Sequence, residues 1–213
     1  MTSAPEDPSP REDQSPRRAP APEDPPPEDP SVTTHPLTSP PSPASGPAEL
    51  PVTFDDVAAA AERLNGEIER TPSAHSRTLS HVLGCQAIVK FENLQFIAAF
   101  KERGALNKLL TMSAADRRCG VVAMSAGNHA QAVAYHATRL GVDATIVMPV
   151  STPFVKVQRT QQLGATVVLR GAGIAEAEVE ACRIADEEGR VYVHPFDDPA
   201  VIAGQGTCAL EML

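Results

Sequence analysis

The chain has 213 residues, 42% of them hydrophobic, and a formal net charge of −9. That length suits one domain or two small ones with enough apolar content for a core, and no apolar run reaches the ~18 residues of a membrane span. The acidic balance argues against a nucleic-acid or anionic-membrane partner, because such surfaces select for clustered Lys and Arg.

Composition is uneven. Fifteen of the 21 prolines fall in residues 1–50, which hold no Phe, Tyr or Trp, and the phrase Ala4-Pro5-Glu6-Asp7-Pro8 returns as Ala21-Pro22-Glu23-Asp24-Pro25 and Pro27-Glu28-Asp29-Pro30. Such a stretch cannot bury enough apolar surface to offset its ordering entropy, so a disordered tail of polyproline character is expected, a solubilising spacer rather than a specific peptide ligand. It carries nine Asp and Glu against three Arg, which leaves the remainder nearly balanced. The N-terminus lacks the layout of a signal peptide and is too acidic for a mitochondrial transit peptide. Cys85, Cys119, Cys182 and Cys208 form no Cys-x-x-Cys pair, as expected of reduced thiols in a cytoplasmic protein.

From Pro51 onward, periodic elements begin. Thr53 is a natural N-cap for a helix over residues 57–64, with Asp56 in the capping-box position. Residues 79–83 read as a helical turn stopped by Gly84, and residues 87–92 as a strand with an apolar centre. A helix over 100–110 comes next, starting at Lys101.

Strands over 120–124, 144–148, 165–169 and 190–194 then alternate with helices over 126–140, 153–163 and 174–188. This is the pattern of parallel βαβ units covered on both faces. After Pro195, an apolar helix is expected to begin at Ala209 and to stop within two turns, uncapped. That would make the sequence the N-terminal portion of something longer.

Lys101 lies at the start of a helix just after a strand, where open α/β sheets place ligands. A lysine desolvated there has a lowered pKa and becomes a nucleophile and base near neutral pH, as Schiff-base chemistry requires. Ser125-Ala126-Gly127-Asn128-His129 lies at a strand-to-helix turn. Its small residues and free N–H groups suit a carboxylate or phosphate, although Ser125 as a plain N-cap is the simpler structural reading. Gly171-Ala172-Gly173 is half of a dinucleotide fingerprint, but Glu176 stands where the third glycine belongs and would repel a pyrophosphate. His129 and His136 share a helical face without a third ligand, so helix-surface histidines are expected there rather than a metal site.

Together these phrases resemble the fold-type II pyridoxal-phosphate enzymes, specifically the threonine ammonia-lyase (threonine dehydratase) group with serine dehydratase and serine racemase. The resemblance rests on Arg70-Thr71-Pro72, Lys90-Phe91-Glu92-Asn93-Leu94-Gln95, Phe100-Lys101-Glu102-Arg103-Gly104-Ala105, Ser125 to Gln131, Ile146-Val147-Met148-Pro149, His194 to Pro199 and Ile202 to Thr207. It implies an α/β fold of the tryptophan-synthase-β type, with two open parallel-sheet domains. Residues 121–196 would be the small domain, and 51–120 with 197–213 an incomplete large one.

It also implies roles. Lys101 would be the Schiff-base residue for pyridoxal 5′-phosphate and Phe100 would lie against the ring. Asn128 would hydrogen-bond the 3′-oxygen, and Ser125, Gly127 and His129 would hold the carboxylate of an amino-acid substrate. The implied activity is α,β-elimination of threonine (or serine) by an enzyme that is a homo-oligomer when full length. A racemase, or a non-catalytic remnant, is the alternative. Ile97-Ala98-Ala99 stands where the family usually has Thr-Gly-Ser, and the family's glycine-rich phosphate loop falls beyond Thr207.

Overall fold

The computed structural model describes residues 51–213, so the expected tail over 1–50 lies outside the described residues. Helix α1 (Phe54–Leu64) starts at a complete capping box, Thr53 with Asp56, as its sequence demands. Strand β1 (Ser73–His75), helix α2 (Arg77–Leu83), which is stopped by Gly84 in the left-handed region, and strand β2 (Ile88–Lys90) follow. Strands β1 and β2 pair antiparallel, Ser73 opposite Lys90, a pairing the sequence did not announce. The expected strand ends early because Glu92 turns into a 3₁₀ segment, Glu92–Leu94, where its carboxylate is taken by Thr71 and Arg103.

Helix α3 (Lys101–Thr111) and the short helix α4 (Ala114–Cys119) lead into the parallel sheet. Its elements are β3 (Val121–Met124), α5 (Asn128–Arg139), β4 (Ala144–Met148), α6 (Phe154–Gln162), β5 (Thr166–Leu169), α7 (Ile174–Glu188) and β6 (Val191–Tyr192). The strand order is β5-β4-β3-β6, all parallel, with Val121 facing Ala144 on one side and Val191 on the other. Strands β3 and β4 are buried along their whole length, which explains their uninterrupted Val/Ile runs. Alternate residues serve opposite faces. Val121, Ala123, Ile146 and Met148 pack with Val133, Ala137 and Val157 of α5 and α6, whereas Val122, Met124 and Val147 pack with Ala177, Ala181 and Ile184 of α7.

The last helix corrects the reading of the final residues. Helix α8 runs Pro199–Leu210, with Pro199 in its first turn and the Asp198 carboxylate accepting from Ala200 and Val201 N–H. It was expected to begin only at Ala209, after Gly204 and Gly206. They are interior helix positions instead, for a packing reason. A Cβ on Gly204 would lie 2.6 Å from the Arg103 carbonyl oxygen and one on Gly104 2.8 Å from that of Val201, so α3 and α8 cross with backbones in contact.

Candidate active site

Lys101 occupies the first turn of α3, half-buried, and its Nζ donates to the carbonyl oxygen of Pro195 at 2.6 Å. Burial pushes its pKa below the ordinary lysine value, because a neutral carbonyl compensates a desolvated charge less than a carboxylate would. The amine also lies 5.5 Å from the centroid of the Phe100 ring, and that ring is 41% exposed. Lys101 therefore stands at the edge of an open apolar surface. Cavities of about 220 and 260 Å³ flank α3 beside Arg103 and beside Glu102, and Lys101 lines neither.

The residues of the 125–129 turn are placed by the end of β3 and the first turn of α5. The Ser125 hydroxyl accepts from Gly127 N–H at 3.1 Å, and the helix cap is Gly127. The expected Ser125 cap is corrected, since its hydroxyl closes a turn two residues on. Asn128 is exposed at the first helical position, where the backbone N–H groups of an α-helix have no internal partner.

His129 is 2% exposed and its Nε2 lies 2.9 Å from the Val193 carbonyl oxygen, so Nε2 carries the proton. Burial pushes its pKa down to about 4, and the Lys101 ammonium acts in the same direction. The ring is neutral near pH 7, and what His129 offers a carboxylate is its main-chain N–H at the positive end of α5. The expected surface histidines are both core residues. His136, fully buried, accepts at Nδ1 from Arg139 and turns Nε2 toward Glu102 at 3.3 Å. The reason is that α5 is sandwiched between the sheet and α3.

Lys101 and His129 converge on one segment, Val193 to Asp197, most of which lies in the family-like phrase His194 to Pro199 but to which the sequence reading gave no role. His194 holds that segment: its Nδ1 accepts from Asp197 N–H at 2.7 Å and from Phe196 N–H at 3.3 Å. The signal lay in the phrase His194-Pro195, a ring acceptor beside a residue that cannot donate. At the half-fingerprint Gly171-Ala172-Gly173, Glu176 already accepts from Ala172 N–H at 2.9 Å, supplying from within the chain the anion such a loop attracts.

Two further features surround Lys101. Arg103, whose side chain is fully buried, is gripped by two carboxylates: Nε and Nη2 on Glu92 at 2.8 Å, Nη1 on Glu211 at 2.7 Å and Nη2 on Glu211 at 3.0 Å. Lys90 completes the cluster with Glu211 at 2.7 Å and the Thr71 carbonyl at 2.8 Å. On the other side Ala98 has φ of 58°, a left-handed conformation that an L side chain resists. It stands at the middle position of Ile97-Ala98-Ala99, the segment whose expected counterpart in the resembled family is Thr-Gly-Ser. The Ile97 N–H is bound by the Glu102 carboxylate, which fixes the turn into α3.

Residues 64–213 match the family model "Pyridoxal-phosphate dependent enzyme". The chain belongs to the pyridoxal-phosphate dependent enzymes. It is 48% identical over 162 residues to the L-threonine ammonia-lyase of Thermotoga maritima, an alignment covering 76% of this chain and 40% of that protein. Among solved structures it resembles the T.th. threonine deaminase, with 44% identity and a TM-score of 0.68 over 75% of this chain and 50% of that one. It also resembles maize serine racemase, with 34% identity and a TM-score of 0.73 over 77% and 50%. The chain thus spans about half or less of the length of the relatives it matches.

The fold class is that of the fold-type II members of this family. The residues present fit the amine-binding end of pyridoxal phosphate, since Lys101 has no carboxylate partner among the described residues and Asn128 is exposed at a helix N-terminus.

Proposed function

We propose that the chain carries the lysine and the carboxylate-binding turn of a pyridoxal-phosphate-dependent ammonia-lyase acting on L-threonine or L-serine. The observation that supports this best is the Lys101 amine, desolvated and held by a backbone carbonyl. A lysine so placed reaches its neutral, nucleophilic form at lower pH than a solvated one. Pyridoxal phosphate, when bound, supplies the electron sink that lets an α-proton leave.

This chain's residues do the rest. Lys101 would be the point of attachment and would serve as the base at the α-carbon. Asn128 would offer its amide to the cofactor's 3′-oxygen, and the exposed Phe100 ring would lie against the heterocycle. Ser125, Gly127 and His129 hold the substrate carboxylate through hydroxyl and main-chain N–H groups at the start of α5. Threonine then loses its β-hydroxyl and its nitrogen and yields 2-oxobutanoate and ammonia. The water released in the elimination is taken back in hydrolysis. Residues 121–196 act as the small domain between the two parts of the larger one, and the full-length enzyme is a cytoplasmic homo-oligomer.

The test is to incubate the chain with pyridoxal phosphate, reduce with borohydride and map the adduct by mass spectrometry. Labelling at Lys101, lost in Lys101→Ala, is expected, and its absence from the wild-type chain would overturn the reading. The likeness to maize serine racemase motivates a second reading, in which the products from L-serine include D-serine. Chiral analysis of products from L-threonine, L-serine and D-serine separates the two.

A further inference from the structure

Lys101 and the turn that receives it are far apart in sequence, and the two ends are joined by a hydrogen bond from Nζ to the Pro195 carbonyl, 94 residues away. A carbonyl can keep a lysine amine in one place only if its own peptide is held. The Val193–His194 peptide, two before it, is held by His129, whose Nε2 binds the Val193 carbonyl at 2.9 Å. The Pro195–Phe196 peptide itself and the one after it are held by His194, whose Nδ1 accepts from Phe196 and Asp197 N–H.

For that, His194 must leave Nδ1 unprotonated and carry its proton on Nε2. Glu178 of α7 faces Nε2 at 3.7 Å, and a carboxylate there favours that tautomer. The ring is also wedged edge-on between Tyr192 and Phe196, at 5.9 and 4.6 Å between centroids. Nothing in the proposed reaction uses this imidazole.

We propose that His194 is a positioning residue for Lys101: it closes the turn over Pro195 to Asp197 and so presents the Pro195 carbonyl that holds the lysine amine in its half-buried place. The inference rests on the reading of Lys101 as the reactive lysine for its functional meaning, but not for its geometry. Without the Nδ1 acceptor the two N–H groups turn to solvent, the Pro195 carbonyl moves, and Lys101 swings into water and regains an ordinary basicity.

The test reads the lysine itself, with no cofactor present. Acetic anhydride labels neutral amines, and mass spectrometry follows the labelling of Lys101 against pH, with exposed Lys156 as internal reference. The wild-type midpoint should lie below the ordinary lysine value of about 10.4. In His194→Ala it should rise toward the solvated value, cutting Lys101 labelling at pH 8 about tenfold for each pH unit of rise. His194→Asn, whose Oδ1 can accept from N–H groups two and three residues on, should keep the wild-type profile. A wild-type profile in a folded alanine variant, or a shifted one in the asparagine variant, would overturn the proposal. Should the alanine variant unfold by circular dichroism, the asparagine profile decides alone. Failure of borohydride trapping in the wild-type chain would strike the proposed function and leave this labelling result standing.

Discussion

Lys90 and Lys101 lie 11 residues apart on either side of the same turn, both drawn out of water, and the protein treats them in opposite ways. Lys90 is 4% exposed in its side chain and is answered by a full negative charge, Glu211 at 2.7 Å, which is shared with Arg103. Lys101 is answered by a peptide dipole. A buried ammonium beside a carboxylate is structural, because separating the pair strands a charge in low dielectric. An ammonium beside a carbonyl is held in place while remaining easy to deprotonate. The acceptor, more than the burial, separates a fastening from the proposed Schiff-base lysine.

The largest effect should come from unfastening the Lys90 side. Arg103→Met leaves two carboxylates facing one lysine and should cost about 3–5 kcal/mol in urea unfolding. A loss below about 1 kcal/mol would mean that the cluster is solvated and the contrast between the lysines is overdrawn.

Acid should then distinguish the two sides. His129 is neutral when folded, with a pKa near 4, so its stabilising share is complete above its unfolded value of about 6.5. That share is lost as pH falls through about 4, amounting to about 3 kcal/mol if nothing relaxes. On the Lys90 side, burial pushes the Glu211 carboxyl up but Arg103 and Lys90 hold it below the usual carboxylate range, so its share persists to lower pH. Urea midpoints at pH 7, 5 and 4 should therefore fall first through His129, and a His129→Asn chain should lose less between pH 7 and 5 than the wild type.

The smallest effect sets the lysines directly against each other. Lys90→Met should destabilise by about 1–2 kcal/mol, whereas Lys101→Met, which removes a desolvated charge that has no carboxylate partner among the described residues, should be neutral or stabilising. Equal losses would erase the distinction.

Much of this was readable in the residues. The parallel strands, their helices and the lysine at the head of α3 follow from short Val/Ile runs, glycine stops and a capping box, all local signals. Lys101, Asn128 and the Ser125 turn were found by position and by family phrase. What escaped was non-local. Gly204 looks like a breaker until α3 is seen against it. Pro195 meets Lys101 only because the chain after β6 passes the first turn of α3. His129 looks like a surface histidine until its helix is covered on both sides. The Ala98 substitution was visible, but its left-handed φ was not, since nothing in three small apolar residues states a backbone angle.

The carboxylate that grips Arg103 is 108 residues downstream of it. At ribosomal speeds of about 5–20 residues per second, α3 waits roughly 5–20 s between its own synthesis and the arrival of Glu211. Throughout that interval the guanidinium has Glu92 alone. The crossing of α3 with α8, and with it the second carboxylate on Arg103, is therefore among the last contacts the growing chain can make.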